Sequence, residues 1–191
     1  YKEAQRRPSL GVKTGNPFLG LIKTVPSQKI VDVRPLDLKK LQQWKPHKFS
    51  NKVAGFKMRR SINLWLFQLI IGGHDLADVA MLTWKNYNNN RLRFRRFKNR
   101  NKPGGAIVNN LVLPFAKYFI EKYGTENKDR IFNWIPHPFL KLETYQSFRN
   151  NYNRTLTTIC TAQEIEILKS KTPRYVFRTL AGELMVNDLV I

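Results

Sequence analysis

Seven cations fall within twelve consecutive positions: Arg91, Arg93, Arg95, Arg96, Lys98, Arg100 and Lys102, with Leu92, Phe94 and Phe97 between them. Guanidinium and ammonium groups at that density suit phosphate oxygens, because neutralising phosphates and releasing their counterions dominates affinity for nucleic acid. Arg91, Arg93 and Arg95 alternate with apolar residues, the period of a half-exposed strand, which aims them at one face. The same pattern also describes a solvated edge strand protected from aggregation by its charge. Further basic clusters occur at Arg6-Arg7, Lys39-Lys40, Lys57 with Arg59-Arg60, and Lys169, Lys171, Arg174 and Arg178. Spread along the chain in this way, they fit a long polyanion better than a small anion pocket, and composition alone suits RNA as well as DNA.

Other chemistries find little support. His47, His74 and His137 are isolated, with no carboxylate pair at helical ligand spacing beside them, so neither a metal nor a cofactor is expected. Gly104-Gly105 has no following Lys-Ser/Thr and is not a phosphate-binding loop of the nucleotide hydrolases. Asn153-Arg154-Thr155 matches a glycosylation sequon but stands in a chain without secretory features. The single cysteine, Cys160, excludes an internal disulfide and reads as a small buried hydrophobe, in keeping with a reducing compartment.

The elements that must position the cations are legible. With 34 Lys+Arg against 13 Asp+Glu the 191 residues carry a formal charge of +21, yet 42% are apolar and 12% aromatic. That is enough for a packed core and excludes a disordered basic tail. The longest apolar stretch, Leu64 to Ile71, is interrupted by Gln68 and falls short of the roughly 18 residues of a membrane span. The chain starts at Tyr1 in a polar, basic segment, which reads as a fragment without a signal peptide.

Residues 1–34 mix prolines and glycines among lysines and read as the end of an upstream unit plus a linker. A short helix is expected to open near Leu36 or Asp37. A central helix follows from Val53 to Ile71, with Phe56, Ile62, Leu66, Leu69 and Ile70 at helical spacing and Gly72-Gly73 as its stop. Helical spacing resumes from Asp75 to Leu82, and an Asn-rich turn ends near Asn90. The strands around Leu92–Phe94 and Ile107–Leu113 form a β-hairpin with a long basic loop. Helices are expected at Phe115–Tyr123, Tyr145–Cys160 and Ala162–Leu168, with a last one from near Arg174. The fold class is therefore α+β, mostly α, with a helical core and a small antiparallel hairpin or sheet.

Three segments in this order carry a resemblance: Gly72-Gly-His-Asp-Leu-Ala-Asp-Val-Ala-Met-Leu-Thr-Trp84, then Lys98 in the hairpin, then Tyr175-Val-Phe-Arg-Thr-Leu-Ala181. The order is similar to that in the catalytic domain of tyrosine recombinases, the phage-type integrases, and resembles most the integrases of Bacteroidetes mobile elements. The resemblance spans residues 35–191 and implies that Asn16-Pro17-Phe18 belongs to the end of a core-binding domain. It implies cleavage of DNA by a tyrosine without a metal, with two arginines on the non-bridging phosphate oxygens and a hairpin lysine as general acid. Lys98 matches that lysine, although Asn99 follows where threonine is usual, and Lys102 is its fallback. Arg178 matches the second arginine. Tyr175 stands three residues earlier, where histidine is frequent, and is implied to assist at the phosphate; a ring packed under the last helix is the alternative. Arg95, Arg96, Arg100, Lys102 and Arg174 are the implied further DNA contacts. The implied partners are duplex DNA carrying recombination sites and other copies of the same protein, in a bacterial cytoplasm at the nucleoid, with no membrane.

Two departures stand out. The first arginine of the family falls on Gly72, or on Asp75 if no gap is introduced, and neither supplies a cation. Compensation by a nearby cation such as Arg59 or Arg60 is left open by the sequence. The chain also reads as ending before the family's nucleophilic tyrosine, which leaves a non-catalytic, degenerate relative or another basic nucleic-acid-binding protein as the alternative.

Overall fold

Pro35, pre-set for a helix start, opens helix α1 (Pro35–Gln43), and the Asp37 carboxylate accepts from the Arg34 backbone N–H at 3.2 Å to close its first turn. The computed structural model describes residues 33–46, 52–101 and 103–183, all within a compact unit spanning Val31–Ile191. Most of the expected linker, and Lys102, lie outside the described residues.

Helix α2 (Lys52–Ile70) is the axis of the unit: every residue from Ile62 to Leu69 is buried. Phe67 stacks on Phe119 at 4.7 Å and meets Phe132 edge-on at 5.2 Å, which makes an aromatic core beside Trp65. Of the apolar positions at helical spacing, Phe56 is 53% exposed, and Met58 is buried instead.

After the short helix α3 (Leu76–Ala80) comes a three-stranded antiparallel sheet, β1 (Tyr87–Asn88), β2 (Arg91–Arg95) and β3 (Ile107–Leu111), in spatial order β1-β2-β3. The Asn-rich turn is the β1–β2 hairpin loop. Asn88 pairs with Arg91, and Asn89 and Asn90 have φ of 49° and 54°, the left-handed pair a tight two-residue hairpin requires and asparagine tolerates. Leu92 and Phe94 face the core while Arg91, Arg93 and Arg95 are exposed, as their alternation predicts. Helices α4 (Pro114–Tyr123), α5 (Leu142–Ala162) and α6 (Thr172–Glu183) complete the unit, with α4, α5 and α6 each packing on α2.

One expected helix is absent. Ala162, Ile165 and Leu168 have helical spacing, but α5 closes at Ala162 and the chain continues without a helix to α6. Glu164 is left-handed at φ 52°, the Ile165 N–H donates to Cys160 O at 3.1 Å and the Glu164 N–H to Thr161 O at 3.3 Å. Those two bonds close a helix end around a left-handed residue, a place glycine usually takes.

No helix among the described residues is long and apolar enough to cross a membrane.

Candidate functional site

A cleft of about 420 Å³ opens where the end of α2, the exit of β2, the edge strand β3 and α6 meet. Arg96, Arg174 and Arg178 line it together with Asn99 and the Gly72–His74 turn. Arg174 and Arg178, one helical turn apart, share a face of α6.

Close approach at glycine builds this cleft. Gly72 and Gly73 have φ of 104° and 67°, and their N–H groups both donate to Leu69 O at 3.1 Å, ending α2. A Cβ on Gly73 would lie 2.7 Å from Phe177 Cβ and 2.9 Å from Pro173 O, so α6 rests directly on this backbone. A Cβ on Gly72 would lie 2.8 Å from the Asn110 side-chain nitrogen and 3.3 Å from His74 Nε2. Position 72 is thus filled by its neighbours as well as strained for any side chain.

Gln68, which on the sequence only interrupts an apolar run, ties the walls together. It is fully buried, its Nε2 donates to His74 O at 2.9 Å and Ser170 O at 3.2 Å, and its Oε1 accepts from Tyr152 OH at 3.0 Å. The first bond holds the glycine turn and the second holds the loop that launches α6. Alongside, the Trp65 indole donates to Thr172 Oγ1 at 2.9 Å, fixing the first residue of α6.

Asp78 fixes the opposite wall. Its buried carboxylate accepts from the Phe97 N–H at 2.6 Å and lies 3.5 Å from Arg96 Nε, while Asp75 lies 3.4 Å from Arg96 Nη2. Arg96 is accordingly a positioned and largely neutralised cation. Arg174 and Arg178 have no carboxylate partner among the described residues, and they supply the cleft's uncompensated charge.

His74 forms the floor, with Asn110 Nδ2 3.3 Å from its Nε2, Asp78 4.0 Å from its Nδ1 and the Phe94 ring edge-on at 5.0 Å. Asn110 also donates to Ile71 O. An amide donor at Nε2 places the proton of the neutral ring on Nδ1. Burial, and then the positive field of Arg96 with Arg174 behind it, pulls the His74 pKa down to about 4 against the opposing charge of Asp75. The sign follows directly. Between about pH 6.5 and about pH 4 the unfolded chain binds a proton that the folded chain refuses, so stability present above the unfolded pKa is lost as pH falls, by about 3 kcal/mol in all. We expect His74→Gln to remove that part of the acid sensitivity. Urea midpoints of both proteins near neutral and near pH 4 measure it, and equal losses in the two would show that the buried imidazole is not the source.

The residues singled out on the sequence separate into two groups. Arg96, Arg174 and Arg178 are brought together, whereas Lys98, exposed on the 3-10 turn Phe97–Asn99, and Tyr175, 38% exposed on α6, do not line the cleft. Arg95 joins Arg91 and Arg93 on the outward sheet face. Arg100 turns away, its guanidinium 3.3 Å from the Phe139 ring centroid and 4.6 Å from that of Phe97. Neither Arg59 nor Arg60 lines the cleft. Arg59 donates to Leu41 O, Gln42 O and Trp44 O, the open carbonyls at the end of α1, and Arg60 lies over Trp134.

Asn110 escaped the sequence reading, His74 figured there only as an isolated histidine, and Gln68 only as a break in an apolar run, because nothing local separates a structural glutamine from an accident of composition. Among the described residues there is no group of three His, Cys, Asp or Glu side chains that could hold a metal ion. Comparison of the chain with protein-family models, with curated proteins and with solved structures finds no match.

Proposed function

We propose that this chain binds duplex DNA in the manner of a site-specific tyrosine recombinase's catalytic domain, with a backbone phosphate seated between Arg174, Arg178 and Arg96. The observation that carries the reading is convergence: cations from positions 96, 174 and 178, far apart in the chain, meet in one cleft beside a glycine turn and a neutral imidazole. A pair of guanidinium groups on one helix face without carboxylate partners suits a phosphodiester, whose two non-bridging oxygens accept bidentate bonds. The +21 charge and the outward arginines of β2 add sequence-independent attraction.

A second reading, binding without cleavage, draws support from Gly72. Its positive φ and the Asn110 amide where a Cβ would stand leave no room for the family's first arginine. Losing one transition-state cation typically costs about 10²–10³ in rate.

Affinity for duplex DNA, single-stranded DNA and structured RNA across a salt series tests the reading. Duplex preference with a steep salt slope is expected, and equal binding to all three polymers would sink it. The same duplex, nicked and offered to the protein, separates the two readings by whether a covalent protein–DNA adduct forms.

A further inference from the structure

A second cavity, of about 430 Å³, lies between α2 and α5. Its lining residue on α2 nearest the cleft, Leu64, sits about 12 Å back along the helix from Gly72, and the two cavities share no lining residue. Its rim carries Lys57 and Arg60 from α2 and Arg154 from α5, and its floor is Leu64, Phe148 and Tyr152.

The rim is cationic and its donors are open. No acidic residue lines the cavity, and none of the three cations has a carboxylate partner among the described residues. Arg60 is held over aromatic rings: its guanidinium carbon lies 4.4 Å from the Trp134 ring centroid and 5.9 Å from that of Phe56, and the indole is itself pinned by donating to Tyr123 O at 2.8 Å. A guanidinium laid on an aromatic face keeps its N–H groups directed outward in its own plane. Burial pulls the Arg60 pKa below its ordinary value, so the charge is partly desolvated before any anion arrives.

The floor is aromatic. Phe148 and Tyr152 stack at 6.4 Å with 23° between their rings, and the Tyr152 hydroxyl is turned away to Gln68, which leaves ring carbon facing the cavity. Three cations exceed what one carboxylate neutralises and match a phosphate. An apolar floor of rings matches a planar group attached to it, and the volume is that of an ordinary small-ligand site.

We propose that this cavity binds a nucleotide, its phosphate on Lys57, Arg60 and Arg154 and its base against Phe148. The nucleotide is either free or one unit of a single strand; a duplex cannot supply it, because its bases are stacked on each other. The site stands independently of the duplex reading of the cleft.

Titration calorimetry of the whole chain with AMP, inorganic phosphate and a short single-stranded oligonucleotide, at one ionic strength, tests the site. AMP is expected to bind more tightly than inorganic phosphate, and Arg60→Gln and Arg154→Gln are each expected to weaken it about tenfold. Arg154 is exposed, so its replacement leaves the fold intact should the loss of Arg60 from Trp134 disturb it; an unfolding curve checks the latter. Whichever of AMP and the oligonucleotide binds more tightly identifies the source. AMP binding no tighter than phosphate, or unchanged in both variants, would overturn the proposal. So would an equal loss in Arg178→Gln, which would mean that AMP sits in the cleft.

Discussion

Replacing Arg174 and Arg178 together by glutamine is expected to weaken duplex binding by about two orders of magnitude at low salt and to flatten the log affinity–log salt plot by about 1.8, the release of two phosphates' worth of counterions. The two side chains share a face of α6 and have no carboxylate partner among the described residues, so little structure depends on them. Arg91→Gln with Arg93→Gln removes the same charge from a different place. On β3, Val108 lines the cleft, whereas Arg93 and its cross-strand partner Asn109 are both exposed on the outward face. A duplex seated on the cleft leaves that outward face in solvent, and the strand pair is expected to change the slope by less than half as much. Both pairs are read in one salt titration. The opposite ranking would make the sheet face the DNA surface and end the case for the cleft.

Gln68→Leu is expected to destabilise the fold by about 3 kcal/mol or more. Leucine matches glutamine in size but leaves His74 O, Ser170 O and Tyr152 OH buried without the partner each now has, and every such orphan costs about 1–3 kcal/mol. The loss should also be local. Ser170 and the loop before α6 lose one of their ties to the core, leaving that of Trp65 to Thr172, so amide exchange across the Ser170–Arg178 segment is expected to accelerate beyond the global change. Adding Tyr152→Phe should restore part of the stability, since an apolar pair in the same place leaves fewer unsatisfied groups. A urea-derived change under about 1 kcal/mol would show that water or relaxation satisfies these groups and that Gln68 does not hold the cleft walls.

Those two expectations differ in how far the sequence anticipates them. Arg178 and Arg174 stand out as cations near the last helix, and Arg178 also by the resemblance of its segment. Gln68 does not stand out, because its partners lie 6, 84 and 102 positions away. Local pattern accounts for most of the elements. The period of Arg91–Arg95 places a half-exposed strand, the long apolar run makes α2 central, and Gly72-Gly73 ends it, since each depends only on which face a residue a few positions away must share. The spacing of Ala162, Ile165 and Leu168 misled for the same reason. It registers that Ile165 and Leu168 are buried, as they are, but not that a left-handed Glu164 has turned the chain between them and α5.

The sequence by itself determined a basic, mostly helical α+β chain with an arginine-studded hairpin, because composition and periodicity are local sums. Only the tertiary structure decided which cations meet. It assigned Arg59 to the carbonyls of α1, Arg60 to the face of Trp134, Arg100 to Phe139, and Arg96 to a cleft shared with Arg174 and Arg178. A guanidinium on a flexible stem reaches whatever acceptor, ring or open space the fold brings near, and that neighbourhood is set by contacts such as Gly73 against Phe177, about a hundred residues apart.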